Sequence, residues 1–409
     1  MRVLVLSQYY WPENFRINEI VQSLAAKGVA VDVLTGKPNY PDGACFGGYR
    51  AWGCVQETLQ GIPVHRVPLL PRGKGALRLA LNYLSFVLSG VVFAPWLLRG
   101  KRFDAIFVFA PSPIFQAIPA IWLGRLKKCP VLLWVQDLWP ESLSATRHVT
   151  SPRVLRAVER VVRAIYRRVD LLLVQSRAFI PKVQALAGGT PIAYLPNSFI
   201  EGAAEQLGEE PACPGLDGGF PVLFAGNIGS AQAVDVILDA AEMLKDVEDI
   251  RFVVAGDGSK REWMMREAAR RGLPSLVFPG RFPVEAMPAL MARAAALLVT
   301  LTDTEIFRLT IPSKIQAYMA AGRPILACLN GAGADLVLEA RAGLAAPAED
   351  AHALAQAIRT LHRMPERERE TLGANGRRYF QAHFSHEKLV EELIQHVQQT
   401  LSRYREENP

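Results

Sequence analysis

Short apolar runs alternate with amphipathic segments along the whole of this 409-residue chain. The first unit consists of a strand predicted at Arg2–Leu6, a helix predicted at Phe15–Lys27 and a second strand predicted at Val29–Leu34. Buried strands that alternate with helices are typical of βα units around parallel sheets. Because ligands bind at the carboxyl ends of such strands, we expect the functional site in the loops that follow them.

The alternation forms two separate series, and a chain of this length exceeds the size at which one hydrophobic core stops growing. Further strands of the first series are predicted at Ala105–Phe109, Val131–Val135 and Leu171–Val174. Strands of the second series are predicted at Val222–Ala225, Arg251–Ala255, Leu276–Phe278, Ala296–Val299 and Pro324–Cys328. The sequence therefore predicts an α/β protein with two doubly wound domains.

A break in composition separates the two series. Residues 201–219 are rich in acidic residues, Gly and Pro and lack apolar periodicity, which is typical of a linker. We therefore expect an N-terminal domain over residues 1–198, a linker over 199–220, a C-terminal domain over 221–385, and a last helix over 386–409 that packs back on the first domain.

The net charge and the cysteine content indicate the kind of partner and the cellular compartment. Lys and Arg number 46 against 39 Asp and Glu, and the net charge of +7 favours anionic partners. Five scattered cysteines without a C-x-x-C pair suggest neither a disulfide framework nor a zinc site, so we expect a reducing compartment. No signal peptide is expected, and the longest apolar run, Tyr83–Leu98, is shorter than the ~20 residues that span a bilayer.

One predicted helix carries a basic stripe. Between Pro152 and Val169, apolar residues mark one helical face and arginines mark the other: Arg153, Arg156, Arg160, Arg163 and Arg167. Further basic residues bracket the apolar run. Together they suit docking on an anionic membrane, where each basic residue contributes about 1 kcal/mol. The alternative is a solvated helix face over a core.

Glycine-containing loops in the second series are candidates for phosphate binding. The loop A-G-N-I-G-S at Ala225–Ser230 leaves a strand and precedes a helix, so the N–H groups of Gly226 and Gly229 can approach an anion. A plain βα turn is the alternative reading. No G-x-G-x-x-G follows the first strand and no P-loop motif occurs, which disfavours a nicotinamide dehydrogenase and a P-loop phosphotransferase.

The segment Thr304–Pro324 is the most informative in the chain. Ser313 is predicted to cap a helix that starts at Lys314 and is terminated by Gly322. A cation in the first turn of a helix is disfavoured unless an anion is bound there. With Arg308 in the preceding loop, Lys314 therefore indicates a pyrophosphate site, and a solvated surface lysine is the alternative.

Five sequence motifs occur along the chain in an order that matches a known family. They are S-Q-Y-Y-W-P-E-N-F-R-I-N-E from Ser7, T-G-K-P-N-Y-P-D-G from Thr35, Q-D-L-W-P-E-S from Gln136, F-A-G-N-I-G-S-A-Q from Phe224 and P-S-K-I-Q-A-Y-M-A-A-G-R-P-I-L from Pro312. Together they resemble the family-4 glycosyltransferases of the GT-B fold over essentially the whole chain. Within that family the chain is most similar to bacterial transferases of O-antigen, capsule and colanic-acid synthesis, of the N-acetyl-L-fucosamine transferase type.

The resemblance implies two Rossmann-like domains facing across a cleft and a retaining, metal-independent sugar transfer. The donor would be a nucleotide sugar, with UDP favoured by similarity, and the sugar an N-acetylated deoxyhexosamine such as N-acetyl-L-fucosamine. The acceptor would be a glycan on a polyprenyl diphosphate lipid. No cofactor beyond the nucleotide-sugar co-substrate, no metal and no nucleic acid are expected. The resemblance places the protein in the cytoplasm, on the inner face of the cell membrane.

Candidate site residues lie in the loops after predicted strands and in the Lys314 segment, and the resemblance suggests their roles. Charge on the leaving diphosphate must be met by N–H groups and fixed cations when no metal is bound. The candidate catalytic residues are Asp137, Lys314 and Arg308. The candidate donor-binding residues are Gly226, Asn227, Gly229, Gln232, Gly256, Arg281, Glu305, Pro312, Ser313 and Lys314. The candidate acceptor-binding residues are Glu13, Asn14, Lys37, Asn39 and Glu141.

The chain departs from the wider family at several of these positions. The paired-glutamate motif E-x-F-G-x-x-x-x-E-A aligns in two ways, which place its second Glu on Ala317 or on Ser313, so the roles of these glutamates do not carry over. The usual Arg and Lys after the first strand of the second domain are replaced by Asn227 and Gln232. These replacements give Lys314 a larger share of the proposed charge compensation.

Two other functions remain open from the sequence. A GT-B-like nucleotide-sugar epimerase would need no separate acceptor. A non-catalytic nucleotide-sugar or nucleic-acid binder would fit the missing glutamates and the positive charge. The basic stripe has no interleaved aromatic residues for base stacking, which weakens the nucleic-acid version.

Overall fold

The computed structural model describes residues 1–73, 75–145, 151–200 and 212–408, and the chain forms two compact units. The first unit comprises Met1–Leu195 together with Leu389–Pro409, and the second comprises Pro196–Lys388. The division after Leu195 lies just ahead of the linker predicted at 199–220. Residues 201–211 of that linker lie outside the described part of the chain.

The first unit is built on an eight-stranded sheet of order β3-β4-β2-β1-β5-β6-β7-β8. Its strands are β1 (Arg2–Leu6), β2 (Ala30–Thr35), β3 (Val55–Leu59), β4 (Ile62–Arg66), β5 (Ala105–Ala110), β6 (Val131–Val135), β7 (Leu171–Val174) and β8 (Ile192–Tyr194). All neighbours are parallel except β3 and β4, which form a hairpin that the sequence did not predict. The strand order reverses between β1 and β5, where doubly wound sheets bind ligands.

The helices of the first unit include one long apolar helix. They are α1 (Ile17–Ala26), α2 (Ala76–Leu97), α3 (Ala117–Lys127), α4 (Glu141–Ala145), α5 (Pro152–Tyr166) and α6 (Ile180–Ala187), with single 3₁₀ turns at Ile114–Gln116 and Arg177–Phe179. Helix α2 starts seven residues before the apolar run predicted from Tyr83. By length and composition, Leu77–Leu97 could cross a membrane, and one third of its most apolar stretch is buried.

The second unit is built on a six-stranded, fully parallel sheet of order β11-β10-β9-β12-β13-β14. Its strands are β9 (Phe220–Ala225), β10 (Ile250–Ala255), β11 (Leu276–Gly280), β12 (Ala296–Thr300), β13 (Ile325–Cys328) and β14 (Gly343–Ala346). Successive residues of β9 enter the two cores alternately: Phe224 packs on one face, and Leu223 and Ala225 pack on the other. The strand order reverses between β9 and β12.

Helices cover both faces of the second sheet. They are α7 (Asp235–Met243), α8 (Arg261–Arg270), α9 (Met287–Arg293), α10 (Glu305–Leu309), α11 (Ser313–Ala321), α12 (Ala332–Glu339), α13 (Ala351–Arg363) and α14 (Glu366–His383), with 3₁₀ turns at Ser230–Gln232 and Val284–Ala286. The last helix, α15 (His386–Glu407), belongs to the first unit from Leu389 onward. There, Leu393 and Val397 are buried in the same core as Trp134.

Asp32, on β2, is a buried carboxylate that binds three basic side chains. Its side chain is 1% exposed, and it accepts hydrogen bonds from Arg2 Nε at 3.0 Å and Nη2 at 2.8 Å. His65 Nε2 lies 3.0 Å from Oδ1, and Lys101 Nζ bonds the same oxygen. Burial favours a higher pKa for Asp32, but the hydrogen bonds from His65, Lys101 and Arg2 outweigh burial and hold the pKa below its ordinary value.

We predict that Asp32→Asn lowers the free energy of unfolding at pH 7 by about 2–3 kcal/mol, because it leaves the basic side chains without their shared acceptor. The matched control is Asp246→Asn, which removes an exposed ion pair with Arg359 and should change stability little. Urea denaturation measures both. Because the folded-state pKa of Asp32 is lowered, its contribution is full above the ordinary carboxyl pKa and is lost as the pH falls below it. Equal losses in the two variants would contradict this account.

Candidate functional site

A pocket of about 440 Å³ lies in the second unit, at the carboxyl ends of neighbouring parallel strands. Gly226 and Asn227 follow β9, Gly256 follows β10, and Arg281 follows β11. Asp257, after β10, and Lys314, in the first turn of α11, complete the polar part of the lining. The pocket therefore combines backbone turns, a helix N-terminus and two cationic side chains at the sheet edge where ligands bind.

Gly226 and Gly256 make room for the lysine and for the close approach of two loops. Both have positive φ angles, +127° at Gly226 and +141° at Gly256. A Cβ on Gly256 would lie 1.9 Å from the carbonyl oxygen of Gly226, and a Cβ on Gly226 would lie 2.8 Å from Cε of Lys314. Larger residues at either position would close the pocket or displace the lysine.

The N–H groups of the loop glycines are used within the protein, which corrects the expectation that they are turned toward a phosphate. Gly226 N–H donates to the carbonyl of Ala255 at 2.9 Å, because the turn continues the pairing of the two strands. Gly229 N–H donates to Oε1 of Gln232 at 3.1 Å. The same oxygen accepts from Nδ2 of Asn227 at 3.0 Å, so Gly229 and Gln232 position Asn227 rather than line the pocket.

Lys314 carries a buried ammonium group beside an aromatic ring. Nζ lies 3.7 Å from the centroid of the Phe224 ring, and it has no hydrogen-bond partner within the described residues. Burial lowers the pKa of Lys314 to about 7. The positive end of α11 adds to this cost, and the ring face offsets only part of it. An anion in the pocket would satisfy both the ammonium and the helix terminus.

The start of α11 differs in detail from the prediction. Ser313 is the first helical residue and Pro312 occupies the capping position, with no side-chain cap. Neither lines the pocket. Proline suits this position because its missing N–H would have had no partner in the helix. The predicted helix end is confirmed, since Gly322 adopts a left-handed conformation with φ of +66°.

Arg308 and Glu305 lie outside the pocket lining. Both are exposed residues of the short helix α10. The Arg308 guanidinium donates to both carboxylate oxygens of Asp303, each at 2.6 Å. This two-bond pair holds Arg308 in place on the surface. The expectation that Arg308 joins Lys314 at a diphosphate is therefore not met in this structure.

Apolar side chains that sequence analysis missed form one wall of the pocket. They are Phe199, Phe282, Val284, Met287, Met291, Ala317 and Tyr318. Most belong to the loop after β11 and to α9, where no phosphate-type motif drew attention. Their place after a strand could have identified them, because the third strand of a parallel series also ends at the sheet edge where ligands bind. Apolar side chains beside cations suit a nucleotide, which has a planar base and an anionic end.

A second pocket, of about 320 Å³, lies in the first unit around Asp137. Asp137 follows β6, and burial raises the pKa of its carboxyl to about 7. Aromatic side chains dominate the lining: Tyr9, Phe15, Tyr40, Tyr83 and Trp139. Tyr9 and Phe15 stack with ring centroids 4.7 Å apart, and the Arg72 guanidinium lies 5.2 Å from the Tyr40 ring centroid. A carboxylate with a pKa near neutrality can accept a proton from a bound hydroxyl.

The five residues predicted to bind an acceptor do not line this pocket, and Glu13 shows why. Glu13 is buried and its carboxylate accepts backbone N–H bonds from Tyr10 at 3.2 Å, Asn39 at 2.8 Å and Tyr40 at 2.7 Å. It therefore ties together the loops that follow β1 and β2. Desolvation raises the pKa of Glu13, and these N–H bonds oppose that shift.

The remaining candidates are placed differently from one another. Asn39 is buried and its Oδ1 accepts from the N–H of Arg72 at 2.9 Å, so it positions a residue of the pocket. Lys37 is fully buried, and burial lowers its pKa. Asn14 is exposed, and Glu141 begins α4 next to the pocket residues Ser142 and Leu143. The predicted residues therefore lie in loops next to this pocket, where Glu13 and Asn39 support it and none of the five lines it.

The described residues contain no group of three or more His, Cys, Asp or Glu side chains that is close enough together to hold a metal ion.

Comparisons with known proteins agree with both halves of this description. A family model described as "Glycosyl transferase 4-like domain" matches residues 14–198, and one described as "Glycosyl transferases group 1" matches residues 219–364. The second match contains the whole Lys314 segment.

Among curated proteins, the chain is 26% identical over 340 residues to WcaI of Escherichia coli K12, named for colanic acid biosynthesis, covering 79% of this chain and 82% of WcaI. It is 27% identical over 313 residues to the glycosyltransferase WbjE of Pseudomonas aeruginosa, covering 74% and 76%. Among solved structures, HepE of Anabaena in complex with UDP superposes with a TM-score of 0.70 at 16% identity, over 98% of this chain and 100% of HepE. With two Rossmann-like sheets, parallel throughout except at β3 and β4, and these two matched domains, the chain is a glycosyltransferase of the GT-B fold, with a glycosyltransferase 4-like domain followed by a group 1 domain.

Proposed function

We propose that the protein transfers a sugar from a UDP-linked donor to a lipid-linked glycan during bacterial surface polysaccharide synthesis. The observation that carries the proposal is the ammonium group of Lys314, which is buried in a pocket of nucleotide size and has no acceptor in the described part of the chain. A diphosphate at that position would supply the missing acceptor. Its charge grows as the bond to the sugar breaks, so a fixed cation there stabilises the transition state more than the ground state.

The donor would contact both the apolar and the cationic side chains of the pocket in the second unit. The base and ribose would pack on the apolar wall that contains Phe282 and Met287, and the diphosphate would reach Lys314. Arg281 provides a second cation at the opening after β11. We propose that these groups take the place of a metal ion in the reaction, as the resemblance implies.

The acceptor would bind in the first unit, at the aromatic pocket around Asp137. Aromatic rings pack on the apolar faces of sugar rings, and Asp137 can orient or deprotonate the attacking hydroxyl. We further propose that the transfer retains the anomeric configuration and that the sugar is an N-acetylated deoxyhexosamine such as N-acetyl-L-fucosamine.

The relatives support the UDP-linked donor and the role in polysaccharide synthesis. HepE was crystallised with UDP, and WcaI is named for colanic acid synthesis. Part of this chain is also 25% identical, over 174 residues, to an O-antigen chain mannosyltransferase of Escherichia coli. A polyprenyl diphosphate acceptor would place the enzyme in the cytoplasm, at the inner face of the cell membrane.

We predict that Lys314→Met weakens UDP binding about tenfold to a hundredfold, because a charge-assisted contact to phosphate is lost. Isothermal titration calorimetry in the presence of a chelator measures the affinity. Lys260→Met is the matched control, since Lys260 also lies on an aromatic ring, 4.5 Å from the Trp263 centroid, and does not line the pocket. Unchanged UDP affinity in Lys314→Met would remove the proposed diphosphate site.

We predict that Asp137→Asn lowers kcat by about a hundredfold or more and leaves the KM for the donor nearly unchanged. The carboxylate acts when deprotonated, so kcat of the parent enzyme should rise with pH through about 7 and level off above it. Asp42→Asn, at an exposed carboxylate outside both pockets, serves as the control. A flat pH profile together with full activity of Asp137→Asn would exclude a role as base.

The reaction itself is tested by incubating the enzyme with labelled nucleotide sugars, with and without a polyprenyl-diphosphate-linked glycan. We predict that label moves to the lipid fraction only when the acceptor is present, and that a chelator does not abolish the transfer. Conversion of the nucleotide sugar to its epimer without acceptor would instead establish the epimerase alternative and contradict the proposal.

A further inference from the structure

Helix α2 presents a continuous apolar face to solvent. Six large apolar side chains on it are between 40% and 75% exposed: Leu77, Leu81, Leu84, Leu88, Val92 and Trp96. Their spacing of three or four residues places them on one side of the helix. At 1.5 Å per residue the face is about 28 Å long. An apolar surface of this extent on a folded domain marks an interaction site.

The opposite face of α2 is fixed in the first unit, so the helix lies against the domain rather than standing free. Phe86 is fully buried, and so is Asn82. Asn82 accepts a hydrogen bond from Gln8 Nε2 at 2.7 Å and donates to the carbonyl of Leu70 at 2.6 Å. Pulling α2 into a bilayer core would break these bonds and expose polar groups to hydrocarbon. The helix is long enough to span a bilayer, but the hydrogen bonds of Asn82 to the rest of the unit favour an orientation along the membrane surface.

Neighbouring helices extend the apolar face sideways. On α3, Trp122 is 42% exposed and Leu126 is 48% exposed. A groove of about 340 Å³ runs between α2, α3 and α5, lined by Val91, Trp122 and Val161 among others. The three helices of this one unit therefore form a single surface, which we call the α2-α3-α5 face.

Basic residues border this face, and Arg125 and Arg168 line its groove. Residues 58–136 contain ten Lys or Arg, of which Arg66 and Lys101 are paired with Glu57 and Asp32. The same stretch contains one acidic residue, Asp104, which pairs with Arg405 at 3.1 Å. On α5, Arg153, Arg156 and Arg160 are exposed. Arg163 is partly neutralised by Glu159 at 2.8 Å. Apolar side chains flanked by unpaired positive charge are complementary to the interface of an anionic lipid leaflet.

From this geometry we infer that the α2-α3-α5 face docks in the plane of an anionic lipid bilayer. Leu84, Leu88 and Trp96 would enter the boundary between headgroups and acyl chains, and the α5 arginines would contact lipid phosphates. The inference goes beyond the transfer reaction, because it depends only on surface residues of the first unit and holds whatever sugar is transferred. A docked first unit would bring the Asp137 pocket to the compartment of a lipid-linked substrate.

The test is sedimentation of the full-length protein with vesicles of phosphatidylcholine, with or without phosphatidylglycerol. We predict binding to the phosphatidylglycerol vesicles and at least about tenfold lower partitioning for the double variant Leu84→Glu/Leu88→Glu, because two exposed leucines no longer enter the apolar layer. Arg153→Gln/Arg156→Gln/Arg160→Gln should lower partitioning about a hundredfold at low salt. Leu338→Glu, at a 52% exposed leucine of the second unit, is the matched control and should bind as the parent does.

Thermal unfolding and UDP titration of each variant separate this inference from the proposed function. All the altered side chains are exposed, so unfolding temperature and UDP affinity should stay unchanged. Full vesicle binding by the leucine variant would overturn the inference. So would self-association of the parent that the leucine variant abolishes without vesicle binding, since a second copy would then cover the face. Protein that resists extraction from vesicles at alkaline pH would show a spanning helix and would overturn it as well.

Discussion

In the second unit of this glycosyltransferase, the pocket is built around one buried ammonium group. Lys314 lies on the ring of Phe224, beneath a turn whose Gly226 leaves no side chain in its way. The cost of desolvating the charge is visible in its lowered pKa, and the first turn of α11 increases that cost. A protein keeps such a group when a ligand of opposite charge compensates it. On the proposed function, the apolar wall, the two loop glycines and the helix start are parts of one site for an anionic nucleotide.

Both units contain a doubly wound sheet, but their pockets differ in chemical character. In each sheet the strand order reverses beside the first strand, and a pocket opens at the carboxyl ends nearby. The pocket of the second unit is lined by apolar side chains, Arg281, Lys314 and Asp257, and that of the first unit is lined mainly by aromatic rings, with Asp137 and Arg72. In both pockets desolvation moves a pKa toward neutrality, downward for Lys314 and upward for Asp137. Opposite shifts on a cation and a carboxylate suit charge compensation and proton transfer respectively.

Sequence periodicity predicted the parallel strands but did not predict the details of the site. The core strands β1, β6 and β7 fall where the apolar runs predicted them, because a strand buried on both faces must be continuously apolar. The β3-β4 hairpin was missed because its side chains are mostly half exposed or polar. Glu13 and Arg308 were assigned to ligands, yet their charges are satisfied by backbone N–H groups and by Asp303. Whether a charged side chain is already paired depends on tertiary contacts, which a single sequence does not encode locally.

The most direct test of the central claim is the titration of Lys314 itself, followed by NMR of its side-chain carbon in the folded protein with and without UDP. The account predicts a pKa near 7 in the unliganded protein and a clear rise when UDP binds, because the diphosphate favours the charged form. UDP affinity should then fall as the pH rises above about 7. An ordinary lysine pKa that UDP leaves unchanged would show that the ammonium is solvated and that no diphosphate binds beside it.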